Sequence, residues 1–153
     1  MKLIGKGGLS RVLEVLLVIL MCLAPLVMAS LPWTIPWISG KHPGEPMHFF
    51  EKYLVILLIS GLMAECILWQ GRAILRNVNR GLAFTADTVR RLKICGVECL
   101  ALGVIWGISL LLVTKVFVAA ILVTFTVVGM LLLVLSELFR QAVAYKDEND
   151  MTI

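Results

Sequence analysis

Four stretches of about twenty mostly apolar residues run through this chain, and they limit its fold more than any other feature. A hydrocarbon core of ~30 Å is crossed by about 20 apolar residues in helical form. The runs cover about Val12 to Leu31, Tyr53 to Gln70, Ile94 to Val113 and Val116 to Phe139. Only Thr114 and Lys115 separate the last two, which predicts a tight helical hairpin there. Of the 153 residues 60% are hydrophobic and 16% charged, more apolar surface than one soluble domain of this size can bury. The expected fold is all-α: a single polytopic membrane domain over residues 1–153, arranged as a bundle of four transmembrane helices. An ordinary soluble enzyme, a disordered chain and a disulfide-stapled secreted module are all excluded.

The basic residues set the direction. Lys2, Lys6 and Arg11 precede the first span, six more lie between the second and third, and Arg140 and Lys146 follow the fourth. Only Lys41, Lys52 and Lys115 fall on the other side. The positive-inside rule then places both termini, the 71–93 connection and the 140–153 tail in the cytoplasm, with 32–52 outside. One alternative stands at the start. A basic opening, an apolar run and Val27-Met28-Ala29 resemble a cleavable signal peptide, although a run of ~20 residues is long for one. Cleavage would leave the other three helices oriented as before.

The outer segment from Pro32 to Lys52 holds four of the five prolines and reads as too broken for a helix, with Trp33 and Trp37 as interfacial anchors. His42, Glu45, His48 and Glu51 recur every third residue. In an extended proline-rich chain such a step leaves them ~9 Å apart, so solvated loop residues are expected rather than a metal site. With no histidine inside a span, haem held between helices is not expected either. Cys22, Cys66, Cys95 and Cys99 include no C-x-x-C pair and none lies outside, so they read as small packing residues.

Polarity gathers towards the basic side. Each span carries one carboxylate, Glu14, Glu65, Glu98 or Glu137, in the third of the bilayer nearest that side. An acidic residue costs about 2.5–3.5 kcal/mol at the centre of a membrane helix, so such groups face the bundle interior or a watery pocket. Helical phase puts Gly61, Glu65, Arg72 and Arg76 on one face, sets Arg91 and Cys95 near Glu98, and leaves Glu137 three residues before Arg140. The expectation is a polar network in which Arg72, Arg76, Arg91 and Arg140 neutralise the four glutamates and fix helix order. A proton or cation pathway through the same glutamates is the alternative, with no partner acid on the outer half to continue it. On the third helix Val89, Leu92, Gly96, Cys99, Gly103 and Gly107 form a stripe of small residues suited to close helix packing, within the chain or against a second copy.

Between the second and third spans, Gly81 breaks the helix. Thr85 reads as an N-cap, and Asp87 sits in the first turn, four residues before Arg91. A cytosolic helical hairpin with Phe84 at its tip is expected. Its basic residues, Arg80, Arg90 and Lys93 among them, suit anionic lipid headgroups. With one aromatic and no recognisable fold, the stretch does not suit direct nucleic-acid binding. The tail has the opposite sign through Asp147, Glu148 and Asp150, so tail and hairpin can clasp one another or offer a charged surface to a cytosolic protein.

The run Ile74-Leu75-Arg76-Asn77-Val78-Asn79-Arg80-Gly81-Leu82-Ala83-Phe84-Thr85, continuing to Arg91-Leu92 and Gly96, resembles the bacterial membrane family catalogued as domain of unknown function 2975. So does the ending, Glu137-Leu138-Phe139-Arg140-Gln141 and then Asp147-Glu148-Asn149-Asp150-Met151-Thr152-Ile153. The resemblance covers most of the chain, although the proline-rich outer segment matches no family pattern. It implies four spans and no assigned activity. Members are often encoded beside a small helix-turn-helix regulator of the Cro type, which implies a regulatory pairing. Small multidrug exporters also place a carboxylate in the first helix but lack the long basic connection, and quinone-linked thiol oxidases need external cysteine pairs. No nucleophile–base constellation or Gly-rich phosphate loop is present, so neither an enzyme nor a cofactor is expected. The expected role is a sensor or anchor of the bacterial cytoplasmic membrane, working with a cytosolic regulator. A proton- or cation-coupled carrier is the alternative. A subunit of a larger complex or a homo-oligomer, joined through the glycine stripe, is a third.

Overall fold

The structure, a computed structural model, describes residues 9–39, 48–112 and 116–150. They form four helices, α1 (Leu9–Ser39), α2 (His48–Asn79), α3 (Ala86–Leu112) and α4 (Val116–Asp150). Each is long and apolar enough to cross a bilayer, and no strand occurs among the described residues. The protein is therefore all-α and of multi-pass membrane type. Large apolar side chains stand exposed along every helix, from Val12 and Leu26 on α1 to Leu131 and Val134 on α4. Hydrocarbon solvates such surface without penalty.

Among the described residues, helix packing follows chain order: α1 on α2, α2 on α3, and α3 most extensively on α4. The expected bundle is thus an open row of antiparallel neighbours with α3 and α4 as its tightest pair. A soluble bundle would close to hide its apolar faces, whereas lipid supplies no such drive.

The buried seam of α3 steps through Thr88, Leu92, Cys95, Cys99, Leu102, Trp106 and Ser109, alternating four and three residues. That is the heptad spacing of helices that cross at a shallow angle and interlock. On α4 the buried positions include Val118, Gly129 and Ser136. Leu92 and Cys99 belong to the stripe read from sequence, and Gly96 and Gly103 flank the seam, also buried. The stripe packs against α4 of the same chain. A methyl group on Gly96 would lie 2.9 Å from Leu133 and 3.1 Å from the carbonyl oxygen of Gly129. One on Gly103 would meet Thr126 at 2.9 Å.

Two expectations about the elements are corrected. The segment from Pro32 onwards is not too broken for a helix: α1 runs through Pro25, Pro32 and Pro36 to Ser39, and α2 starts at His48. Proline in a membrane helix is tolerated where nearby donors serve the backbone. The carbonyls left without a helical donor are those of Met21, Met28 and Pro32; the Ser30 and Thr34 hydroxyls bond neighbouring carbonyls, those of Val27 at 2.7 Å and Ser30 at 3.0 Å. His42 and Glu45, with the side chains of His48 and Glu51, lie outside the described residues, as does the link at Thr114 and Lys115. Nor is a cytosolic hairpin set apart between the second and third spans. That stretch consists of the ends of α2 and α3, each continuous with its apolar run, joined by residues 80–85.

Packing at Gly129 yields a test. A methyl there would approach the Leu100 side chain to 2.8 Å and the Gly96 carbonyl to 3.0 Å, whereas one on Gly107 would meet Leu122 at an ordinary 3.4 Å. Gly129→Ala is expected to cost about 1–3 kcal/mol, lowering the melting temperature in detergent by several degrees. Gly107→Ala should change it little; equal melting of the two variants would contradict the seam.

Candidate functional site at the basic end

The start of α1, the α2–α3 junction and Phe139 of α4 are linked at one end of the helices, and the side-chain hydrogen bonds seen between helices among the described residues are found there. The junction is built by turn chemistry. Gly81 adopts a positive φ of 78°, the Leu82 amide reaches back to the Asn77 carbonyl at 2.9 Å, and the Gly81 amide to that of Val78 at 3.0 Å. This pair of bonds is the Schellman closure of a helix, for which glycine is suited because it carries no Cβ. Thr85 then caps α3, its hydroxyl oxygen accepting from the Thr88 amide at 3.4 Å.

Across the junction, the Asn77 amide donates to Asp87 Oδ2 at 2.9 Å and to the buried Thr88 hydroxyl at 3.4 Å. Arg91 Nε bonds the same Asp87 oxygen at 2.8 Å, while its Nη1 reaches Gln70 Oε1 on α2 at 2.9 Å. Arg91 therefore links α2 to α3 rather than neutralising a glutamate within the span. On the α1 side, Asn79 stands between two partners: its amide donates to Glu14 Oε2 at 2.6 Å, and its carbonyl accepts from the Ser10 hydroxyl. Arg11, Glu14, Arg76, Asn79 and Arg80 wall a cavity of about 310 Å³ between α1 and α2.

On α4, Arg140 pairs with Glu137 through Nε at 2.8 Å, as an exposed contact one turn apart. Pairs of this kind contribute little to stability. Phe84, from the junction, stacks on Phe139 with ring centroids 5.2 Å apart and planes 27° from parallel. Beyond Phe139 the helix continues to Asp150, with Tyr145 and Lys146 exposed and Glu148 on its surface. At ~1.5 Å per residue α4 is ~52 Å long, well beyond a hydrocarbon core of ~30 Å. The side chains of Asp147 and Asp150 lie outside the described residues.

The four glutamates thus have separate fates. Glu14 is held by an asparagine and Glu137 by its own helix, while Glu65 and Glu98 each bury one carboxylate oxygen with no hydrogen-bond partner among the described residues. Arg72 and Arg76 share a helical face with Glu65 but do not reach it. Arg80, Arg90 and Lys93 are exposed. Cys95 and Cys99 are buried in the seam as expected, but Cys22 and Cys66 are exposed. Asn77, Asn79, Gln70 and Gly129 carry contacts that the sequence reading passed over. Gly129 had a legible signal, as the single glycine of a 35-residue apolar helix, where glycine costs about 1 kcal/mol against alanine unless closeness repays it.

No curated protein and no solved structure matches the chain. The model of the family described as "Protein of unknown function (DUF2975)" matches residues 11–153, and the chain belongs to that family.

Proposed function

We propose that this protein is a non-enzymatic sensor or anchor of the bacterial cytoplasmic membrane, with both termini in the cytoplasm. Its partner is a cytosolic regulator of helix-turn-helix type, engaged by the end of α4 and the α2–α3 junction. The observation that carries this reading is the stack of Phe84 on Phe139. It ties the junction to α4 just before the helix runs on towards Asp147, Glu148 and Asp150. A change in α3–α4 packing then alters how a basic junction and an acidic helix end are presented together. Opposite charges on one surface favour orientation-specific docking of a partner. The partner must bind the two arrangements with different affinity for a signal to pass. Affinity purification from native membranes, with mass spectrometry, tests this. A DNA-binding regulator should accompany the full chain and be lost when Asp147 to Ile153 are removed. Recovery of no such regulator, or its equal recovery with both forms, would overturn the reading.

A second reading is favoured by one observation, the partnerless buried oxygens of Glu65 and Glu98. Uncompensated carboxylates inside a membrane protein are suited to taking up and releasing protons or cations. In this reading the protein is a small carrier. Flux driven by a pH gradient into reconstituted vesicles should then vanish with Glu65→Gln while circular dichroism stays unchanged. Absence of flux with the wild-type chain would remove the carrier reading.

A further inference from the structure

We propose that an anionic phospholipid docks on the outward face of α3, with its phosphate on Arg90 and Lys93 and its acyl chains along the apolar side chains that follow. This goes beyond the sensor reading and stands without it. One side of α3, from Thr88 to Ser109, is buried against the neighbouring helices. On the other side Arg90, Lys93, Val97, Val104, Ile108 and Leu111 are all exposed, at steps of three, four, seven, four and three residues. That spacing keeps them in one line along the helix. Arg91, between the two cations in sequence, turns to Gln70 of α2 instead. In a bilayer, lipid tails cover the apolar part of such a line, so Arg90 and Lys93 continue a surface that lipid occupies.

Depth and charge define the kind of lipid. At ~1.5 Å per residue, Lys93 and Arg90 lie within ~6 Å of Ile94, where the apolar run of α3 begins. A headgroup layer is about 5–8 Å deep, so both cations stand at the level of lipid phosphates. Neither forms an ion pair among the described residues. The carboxylates that feel their charge, Asp87 for Arg90 and Glu137 for Lys93, are already bonded. Asp87 is taken by Asn77 and Arg91, and Glu137 by Arg140. Two unpaired cations at the end of an apolar line fit a phosphate that carries acyl chains and no cation of its own. Arg80 differs. It is exposed as well, but ten residues past Gln70 it stands ~15 Å beyond the apolar run of α2, outside that layer.

The test uses the full chain, in detergent and in nanodiscs. Native mass spectrometry compares retention of phosphatidylglycerol with that of phosphatidylcholine of the same acyl chains. Wild type should prefer phosphatidylglycerol, and Arg90→Gln with Lys93→Gln should lower its retention by about tenfold or more. Arg80→Gln with Lys146→Gln removes the same charge beyond the headgroup layer and should lower retention far less. Arg90→Lys with Lys93→Arg keeps the charge and should keep the preference, which separates a lost surface from a lost fold. In nanodiscs, phosphatidylglycerol with a photoreactive acyl chain should cross-link to Val97 or Val104 rather than to Leu102 or Trp106 in the buried seam. Equal losses in the two neutralised variants would overturn the proposal. So would a wild type that does not distinguish the two lipids, or cross-links that avoid α3.

Discussion

The close approach of two backbones, α3 and α4 at Gly96 and Gly129, is the contact on which the rest of the structure depends. In hydrocarbon an apolar side chain gains little by leaving lipid for protein, so helices associate where their surfaces fit closely. Glycines facing one another permit that fit, and the heptad seam from Thr88 to Ser109 extends it along α3. The other helices depend less on fit. Met28 packs over Gly61 between α1 and α2, but most of α1 faces outward. Hydrogen bonds at the basic end compensate, through Asn79 for α1 and through Asn77 and Arg91 for α3. The molecule is thus a tight pair, α3–α4, with a looser pair attached by polar contacts at one end.

That division places the functional features. The cavity lies between α1 and α2, the more loosely joined helices. The Phe84–Phe139 stack joins the junction to the tight pair. Asn77, Asp87 and Arg91 join the end of α2 to the base of α3, and the stack joins the junction to α4. The sensor proposed above would use that chain of contacts.

What was legible in the sequence was local. Four spans followed from run length, because the hydrocarbon thickness fixes how many apolar residues a helix needs. Gly81 and Thr85 marked the junction because their backbone preferences act within a few residues, and the Asp87–Arg91 and Glu137–Arg140 pairs lie one helical turn apart. The contacts that escaped the reading join distant segments. Glu14 meets Asn79 and Arg91 meets Gln70 only through the register between antiparallel helices, which no single helix encodes. The expected neutralisation of Glu65 by Arg72 failed for a related reason: seven residues on one face are ~10 Å of rise, and a long arginine near a helix end extends towards water. The prolines of α1 are poor guides to its end because proline is tolerated inside membrane helices far more than in soluble ones.

Coupling between the junction and the end of α4 is the central claim, and a distance measured in a bilayer tests it most directly. Spin labels at Leu82 and Tyr145, both exposed, in a background with Cys22 and Cys66 replaced, report that separation by pulsed electron resonance in nanodiscs. The wild-type distribution should be narrow and should broaden on Phe84→Ala, with helix content unchanged. A distribution that is already broad, or one indifferent to loss of the ring, would contradict the claim.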